Sequence, residues 1–219
     1  STSPDSVTFL SGNEPAVITG LPDGKYTLTE ITSPDGYTIN EETVNFEIIN
    51  GVVVSGTSVQ MLDRPSEIKI SKTDVAGAEI PGATLTLTLT KPAKTENADL
   101  TGTGEPTVEG NPKAVSWVSG TSPKVLTNVP DGKYTLREDQ APLGYEIAEE
   151  ITFTVENGKV TEFADNTVTM TDVPLPEPSE VLISKTDMTG ATEVPGAKLT
   201  LTGTADLSDV TSDSKITVD

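Results

Sequence analysis

The chain of 219 residues contains no cysteine and no histidine. Their absence excludes disulfide bonds, thiol nucleophiles, Ser-His-Asp triads and the usual zinc-ligand sets. No Gly-rich phosphate-binding loop is present either. We therefore expect neither turnover of an external substrate nor a bound metal or other cofactor.

Basic residues are also scarce, because 14 Lys and Arg stand against 34 Asp and Glu, for a net charge of -20. Such a surface repels phosphate backbones and anionic lipids, so nucleic acid and membrane are not expected partners. The acidic residues form no Asp-x-Asp-x-Asp-Gly calcium loop, which favours a solvated acidic surface. No apolar run is long enough to span a bilayer, and the first residues lack a signal-peptide pattern. The sequence is therefore interpreted as a mature or excised segment.

Internal repetition is the strongest feature that the chain does have. Three kinds of segment each occur twice: 21–37 with 129–145, 70–74 with 183–187, and 59–63 with 168–172. The second kind is followed both times by Pro-Gly-Ala and then by alternating Leu and Thr. We interpret the three kinds as parts of a single module.

The order of these parts predicts the domain organisation. Only residues 65–174 contain all three parts, so they are predicted to form one complete module. Residues 1–64 contain the later parts alone, and residues 180–219 contain the first part alone, so each is predicted to be a complementary piece of a module. The Pro-rich linker 175–179 and the short connector 64–66 predict extended, semi-rigid spacing between modules.

Alternating apolar and polar residues predict the fold class. Leu85, Leu87 and Leu89 interleave with threonines, which is the pattern of a strand buried on one face. Gly and Pro, at 18 and 16 residues, punctuate the chain at short intervals, and no sustained helical period is present. We predict an all-β protein of antiparallel, Ig-like or prealbumin-like sandwich modules in tandem.

The same alternation places charged side chains on inner faces, because successive residues of a strand point to opposite sides. In the complete module, Lys72, Glu138 and Asp172 each lie an even number of residues from the large apolar residues of their strand. They are therefore predicted to share the inner face with those residues. In the two partial modules, the equivalent counting gives Lys185, Glu30 and Asp63.

Three ionisable groups in a core must neutralise one another, either as an ion-pair network or by reacting. Burial favours the uncharged forms of amines and carboxyls in general, and a neutral amine is a nucleophile. Attack of Lys72 on the Asp172 carboxyl, with Glu138 moving protons, would yield an amide and water. The residues alone leave both alternatives open.

Four motifs in this order resemble a known family. They are the Ile-Ser-Lys-Thr-Asp strand, the Pro-Gly-Ala turn, Gly-Lys-Tyr-Thr-Leu-x-Glu with Pro-x-Gly-Tyr, and the final Val-x-Met-x-Asp. Together they are similar to the CnaB-type (SpaA-like, prealbumin-like) isopeptide-forming domains of Gram-positive pilins and surface adhesins. The resemblance implies an exported, cell-wall-associated structural protein whose only chemistry is a single autocatalytic turnover.

The resemblance also implies residue roles, which are reactive lysines at Lys72 and Lys185, catalytic glutamates at Glu138 and Glu30, and acceptors at Asp172 and Asp63. Many members carry Asn as the acceptor and release ammonia, whereas the Asp found here is similar to the minority that release water. The bond that the family forms resists pulling force and proteolysis.

The partial modules have three explanations: a piece of a longer tandem array, an arbitrary boundary, or completion by neighbouring copies. We favour the last, in which Lys185 of one chain meets Glu30 and Asp63 of the next, head to tail, in a fibre.

Ligand binding, to a carbohydrate or a host matrix protein, is the alternative function. Trp117 is the candidate stacking platform, but with Val115 it follows an inward-facing pattern, which favours core packing. The polar insertion 94–113 is the better position for a binding loop, although it equally fits a passive surface loop.

Overall fold

The structure is a computed structural model that describes residues 6–54, 58–176 and 183–202. It divides into two units, Ser1–Leu175 and Pro176–Asp219. The strands of the first unit are β1 Gly24–Leu28, β2 Tyr37–Thr38, β3 Val44–Ile49, β4 Val52–Val53, β5 Arg64–Pro65, β6 Glu67–Asp74, β7 Thr84–Pro92, β8 Thr107–Val108, β9 Asn111–Val118, β10 Lys124–Thr127, β11 Gly132–Gln140, β12 Ile151–Glu156, β13 Lys159–Val160 and β14 Thr167–Asp172. Two 3-10 turns lie at Thr101–Thr103 and Ala164–Asn166. No helix in these described ranges has the length and apolar character needed to cross a bilayer.

Residues 66–175, called the middle module from here on, form two sheets. The larger has the strand order β13-β12-β11-β7-β9-β8 and is antiparallel throughout. The smaller has the order β10-β6-β14, and its strands β6 and β14 run parallel. The predicted all-β sandwich is confirmed, with one parallel pair that the expectation of antiparallel sheets did not include. This pair sets the first and last strands of the module side by side.

The core of the middle module lies between its two sheets, because apolar side chains from both belong to one buried cluster. Alternate residues of β7 are buried, as the Leu-Thr pattern predicts. Trp117 is only 8% exposed and belongs to this core, so the core-packing interpretation is confirmed. Leu100, in the polar insertion 94–113, is also fully buried, so the insertion is partly anchored in the core.

Residues 6–65, called the N-terminal segment, form a sheet of order β1-β3-β4 and the short pair β2-β5. The Tyr26 and Phe46 rings stack at 5.2 Å, as Tyr134 and Phe153 do at 5.4 Å in the middle module. Most of its apolar side chains remain half-buried or exposed, Leu10 being 91% exposed. The segment therefore has the strands of a module without a comparable core.

The connector 64–66 differs from the predicted spacer. Strand β5 pairs with β2, Ser66 is fully buried, and its N–H donates to the carbonyl of Gly36 at 2.8 Å. Chain connectivity and hydrogen bonding thus join the N-terminal segment directly to the middle module. At the other connector, Leu175 N–H donates to Gly144 O at 2.8 Å, while residues 177–182 lie outside the described ranges.

The second unit is described over residues 183–202. It contains a turn closed by an isolated bridge between Thr186 and Glu193, with no strand among these residues. Ile183 and Lys185 are both exposed, so the inward orientation predicted for Lys185 is not present in this unit. An inner face requires a second layer to cover it, and none is present within the described part of this unit.

Candidate functional site

Three strands of the middle module bring Lys72, Glu138 and Asp172 together. Lys72 lies on β6, Glu138 on β11 and Asp172 at the end of β14. The Lys72 Nζ lies 3.3 Å from Glu138 Oε1 and forms an ion pair with Asp172 Oδ1. The three side chains are between 0% and 1% exposed. The strand pairing accounts for this proximity, because Lys72 is in register with Met170, two residues before Asp172.

The buried polar atoms of this cluster have few polar partners. Among the described residues, Lys72 Nζ, Glu138 Oε1 and both carboxylate oxygens of Asp172 have no hydrogen-bond partner outside the cluster. Buried charges without further partners are costly, and removing one member of such a cluster typically costs about 3–5 kcal/mol. The stability of the middle module therefore depends on all three side chains being present together.

Glu138 is held in one orientation by its second oxygen. The N–H of Ala148 donates to Glu138 Oε2 at 2.6 Å, which leaves Oε1 directed at the lysine. A carboxyl fixed next to a buried amine is a geometry suited to general acid-base catalysis.

Glu79 is a further site residue, which sequence reasoning missed. Strand β10 pairs with β6 only as far as Ile70, so another partner must satisfy the Lys72 backbone on that edge. Lys72 N–H donates to Glu79 Oε2 at 3.1 Å, the Ser71 hydroxyl donates to Glu79 Oε1, and Ile80 N–H donates to Lys72 O at 2.8 Å. These contacts, which we call the Glu79 clamp, fix the strand that carries the lysine.

The signal for this clamp was present in the repeat. In the second unit Lys185 N–H donates to Glu193 Oε2 at 3.0 Å, the Ser184 hydroxyl donates to Glu193 Oε1, and Val194 N–H donates to Lys185 O at 2.7 Å. The same clamp thus forms around Lys185, which is exposed.

The partial-module residues of the first unit are only partly arranged. Asn40 N–H donates to Glu30 Oε2 at 2.5 Å, which matches the contact that orients Glu138. Asp63, however, is exposed, and the described residues before it form no strand, so its inward orientation stays a prediction for a completed module. The equivalent Asp172 strand is held by its parallel neighbour β6, and the N-terminal segment has no such neighbour among its described residues.

A cavity of about 210 Å³ lies beside the cluster. Its lining includes Lys72, Glu79, Trp117 and Ser119.

The sheet order and core define a prealbumin-like β-sandwich, a structural rather than enzymatic class. The family described as SpaA, prealbumin-like fold domain, matches residues 5–60 and 66–169, and the chain belongs to this family. No curated protein matches the chain.

Several solved structures are similar to parts of the chain. The pilus-presented adhesin Spy0125 (Cpa) is 32% identical, with a TM-score of 0.30, over 43% of this chain and 18% of that one. The pilus adhesin RrgA from Streptococcus pneumoniae is 22% identical, with a TM-score of 0.32, over 51% and 15%. The C-terminal domain of the shaft pilin spaA from Lactobacillus rhamnosus GG is 18% identical, with a TM-score of 0.32, over 50% and 98%. The match thus spans about a fifth of the length of the first adhesin.

Proposed function

We propose that the chain is a structural segment of an extracellular, wall-associated pilus or adhesin, stiffened by an isopeptide bond between Lys72 and Asp172. The observation that supports this most directly is the buried cluster of Lys72, Glu138 and Asp172 on the first, central and last parts of one module. Membership of a structural family of prealbumin-like domains agrees with a load-bearing role.

The proposed reaction is a condensation. Lys72 Nζ forms a bond to Asp172 Cγ, and the bond between Cγ and one carboxyl oxygen breaks. An ammonium and a carboxylate hold the same atoms as an amine and a carboxylic acid, so the two protons that the nitrogen loses leave with that oxygen as water. Glu138 Oε1, 3.3 Å from Nζ, takes a proton from the nitrogen and passes it to the leaving oxygen.

The position of this bond fits resistance to force. It would tie β6 to β14, the neighbouring strands through which the chain enters and leaves the module. Closing a loop of roughly 100 residues stabilises a domain by about 4–5 kcal/mol in the chain-entropy treatment of disulfides. A pull applied across the module would pass through the bond and leave the intervening strands unloaded.

The test is the intact mass of the full chain. A bonded chain is lighter than its sequence by one water, whereas Lys72→Ala and Glu138→Ala chains keep the full mass, and Lys72→Ala has a sharply lower melting temperature. Lys69→Ala is the matched control, because Lys69 lies on the same strand outside the cluster. Full mass in the unmodified chain would overturn the proposal, because a drop in melting temperature for Lys72→Ala is also expected of an unreacted buried ion pair.

We further propose that the partial modules complete one another between copies. In the N-terminal segment β1 pairs only with β3 among the described strands, whereas its equivalent β11 pairs on both edges. Segment 183–202 of a second copy carries the first part of a module, with Lys185 in its clamp. Seated on the free edge of β1, it would bring Lys185 to Glu30 and Asp63, and repetition of this heterologous contact gives a fibre.

This second proposal predicts a covalent ladder of chain multiples on a denaturing gel. Lys185→Ala should abolish the ladder and leave the loss of water within the middle module intact. Lys198→Ala, which changes another exposed lysine of the same segment, should leave the ladder unchanged. Chains that remain monomeric at high concentration, both on the gel and in solution, would contradict completion between copies.

A further inference from the structure

One end of the middle module carries a polar surface against which the N-terminal segment lies. We call this the base surface; it comprises Lys94, Asp131, Asn157 and Gly158. Residues 33–39 of the N-terminal segment, called the docking loop, lie against it. We infer that the base surface is a specific docking site for a Ser-Pro-Asp-Gly-Tyr loop of the preceding module, and that it locks the two modules into a rigid joint.

Lys94 is the centre of the joint. Its Nζ lies 2.5 Å from Asp131 Oδ2 and donates to the Ser33 carbonyl at 2.6 Å, with longer contacts to the Ser33 hydroxyl at 3.3 Å and Asn157 Oδ1 at 3.4 Å. Ser33 is 3% exposed and Asp131 1% exposed. A charged donor that bridges two buried acceptors makes a stronger hydrogen bond than a neutral one. The ammonium therefore holds both modules at once.

Backbone groups add to the joint from both sides. Ser33 N–H donates to Asn157 Oδ1 at 3.3 Å, and Ile39 N–H donates to the Asn157 carbonyl at 3.1 Å. In the other direction, Asp131 N–H donates to Asp35 Oδ1 at 3.2 Å. Hydrogen bonds at both ends of the loop restrain rotation as well as separation of the modules.

Gly158 allows the docking loop to approach closely. A Cβ at this position would lie 2.5 Å from the Tyr37 carbonyl oxygen and 2.6 Å from Thr38 Cα. The equivalent Gly51 of the N-terminal segment has the same φ of +73°, yet nothing lies within 4 Å of its Cβ position. Both positions favour glycine because their φ lies in the left-handed region. Only at Gly158 would a side chain also collide with the docking loop.

The repeat shows why this joint is specific. The equivalent loop of the middle module has Ala141 where the docking loop has Ser33, and Leu143 where it has Asp35. These changes remove the hydroxyl and the carboxylate that contact the base surface, and Leu143 is fully exposed. A base surface of this chemistry therefore selects the first loop over the second as its partner.

The experiment uses the absence of cysteine in the chain. Lys25 and Lys133 are exposed and occupy equivalent positions on β1 and β11, so Lys25→Cys with Lys133→Cys allows one spin label on each module. Pulsed dipolar spectroscopy of the full chain then measures the distance between the labels. We expect a single narrow distribution, because the joint is rigid.

Matched substitutions test the contacts. Gly158→Ala and Lys94→Ala should each replace the narrow peak by a broad distribution. Two controls should retain the narrow peak: Gly51→Ala, which has the same backbone strain, and Lys91→Ala, which lies at the end of β7, three residues before Lys94. Unchanged Trp117 fluorescence shows that the middle module remains folded in each variant. A broad distribution in the labelled parent, or a narrow one in both Gly158→Ala and Lys94→Ala, would overturn the inference. Neither result depends on whether Lys72 has reacted.

Discussion

The N-terminal segment and the middle module share their local hydrogen bonds but differ in burial. Tyr26 and Tyr134 each donate to a proline carbonyl four residues earlier at 2.6 Å, and both tyrosines stack on a phenylalanine. Tyr134 is nevertheless fully buried, while Tyr26 is only half-buried. The repeated sequence therefore determines the hydrogen bonds, and the covering strands determine the burial.

Those covering strands are known from the middle module. There β7 pairs with the free edge of β11, and the sheet β10-β6-β14 lies over the aromatic pair through the shared core. In the described part of the N-terminal segment, no strand takes either position. The tyrosine hydrogen bond therefore needs only residues close in sequence, whereas burial of the aromatic pair needs strands that are distant in sequence.

The largest difference in stability effects between the middle module and the N-terminal segment is expected from substituting two equivalent leucines. Leu136 is fully buried and Leu28 is half-buried. Leu136→Ala should destabilise the middle module by about 2–5 kcal/mol, the usual cost of a core cavity. Trp117 is the only tryptophan and lies in the middle module, so denaturation followed by its fluorescence reports that module alone. Leu28→Ala should leave this transition in place, and an equal shift from both substitutions would contradict the comparison.

The Glu79 clamp is expected to give the next largest effect. Glu79→Ala leaves the Lys72 N–H without a partner, which should cost about 1–3 kcal/mol in the same Trp117 transition. Glu79→Gln keeps an acceptor for this N–H and a donor for the Ser71 hydroxyl, so it should recover most of the loss.

A second readout separates positioning from general stability. If the clamp aligns Lys72, Glu79→Ala should also slow the loss of water as the newly synthesised, unreacted chain first folds. Glu193→Ala, at the equivalent position of the second unit, should change neither readout. An equal loss of stability in Glu79→Gln and Glu79→Ala would show that the carboxylate charge, rather than its geometry, is what matters.

Much of this fold could be predicted from the sequence, because alternation depends only on strand geometry. It placed Lys72, Glu138 and Asp172 on inner faces, and all three are buried. Alternation could not predict that Asp63 is exposed in this chain, since its burial depends on a neighbouring strand that the described segment does not contain. Nor could composition predict that the connector 64–66 would pair with β2, because this contact depends on the docking loop and base surface meeting in space.

The smallest effect in the comparison concerns the two tyrosine hydroxyls. Tyr134→Phe removes a buried hydrogen bond and should destabilise the middle module by about 0.5–1.5 kcal/mol, whereas Tyr26→Phe should not change the Trp117 transition. Burial, with the nearby Asp131 and Asp35 carboxylates adding to it, raises the pKa of Tyr134 far above its ordinary range.

Because of this raised pKa, the stability that Tyr134 contributes to the middle module depends on pH. The unfolded chain ionises its tyrosines near pH 10, while the folded module keeps Tyr134 neutral. The contribution of Tyr134 is therefore fully present below about pH 10 and is lost as the pH rises above it, by up to about 1.4 kcal/mol per pH unit. The free energy of unfolding of the unmodified chain and of Tyr134→Phe should be measured from below to above about pH 10. The difference between them should shrink as the pH rises. A constant difference would mean that Tyr134 ionises in the folded module as readily as in the unfolded chain.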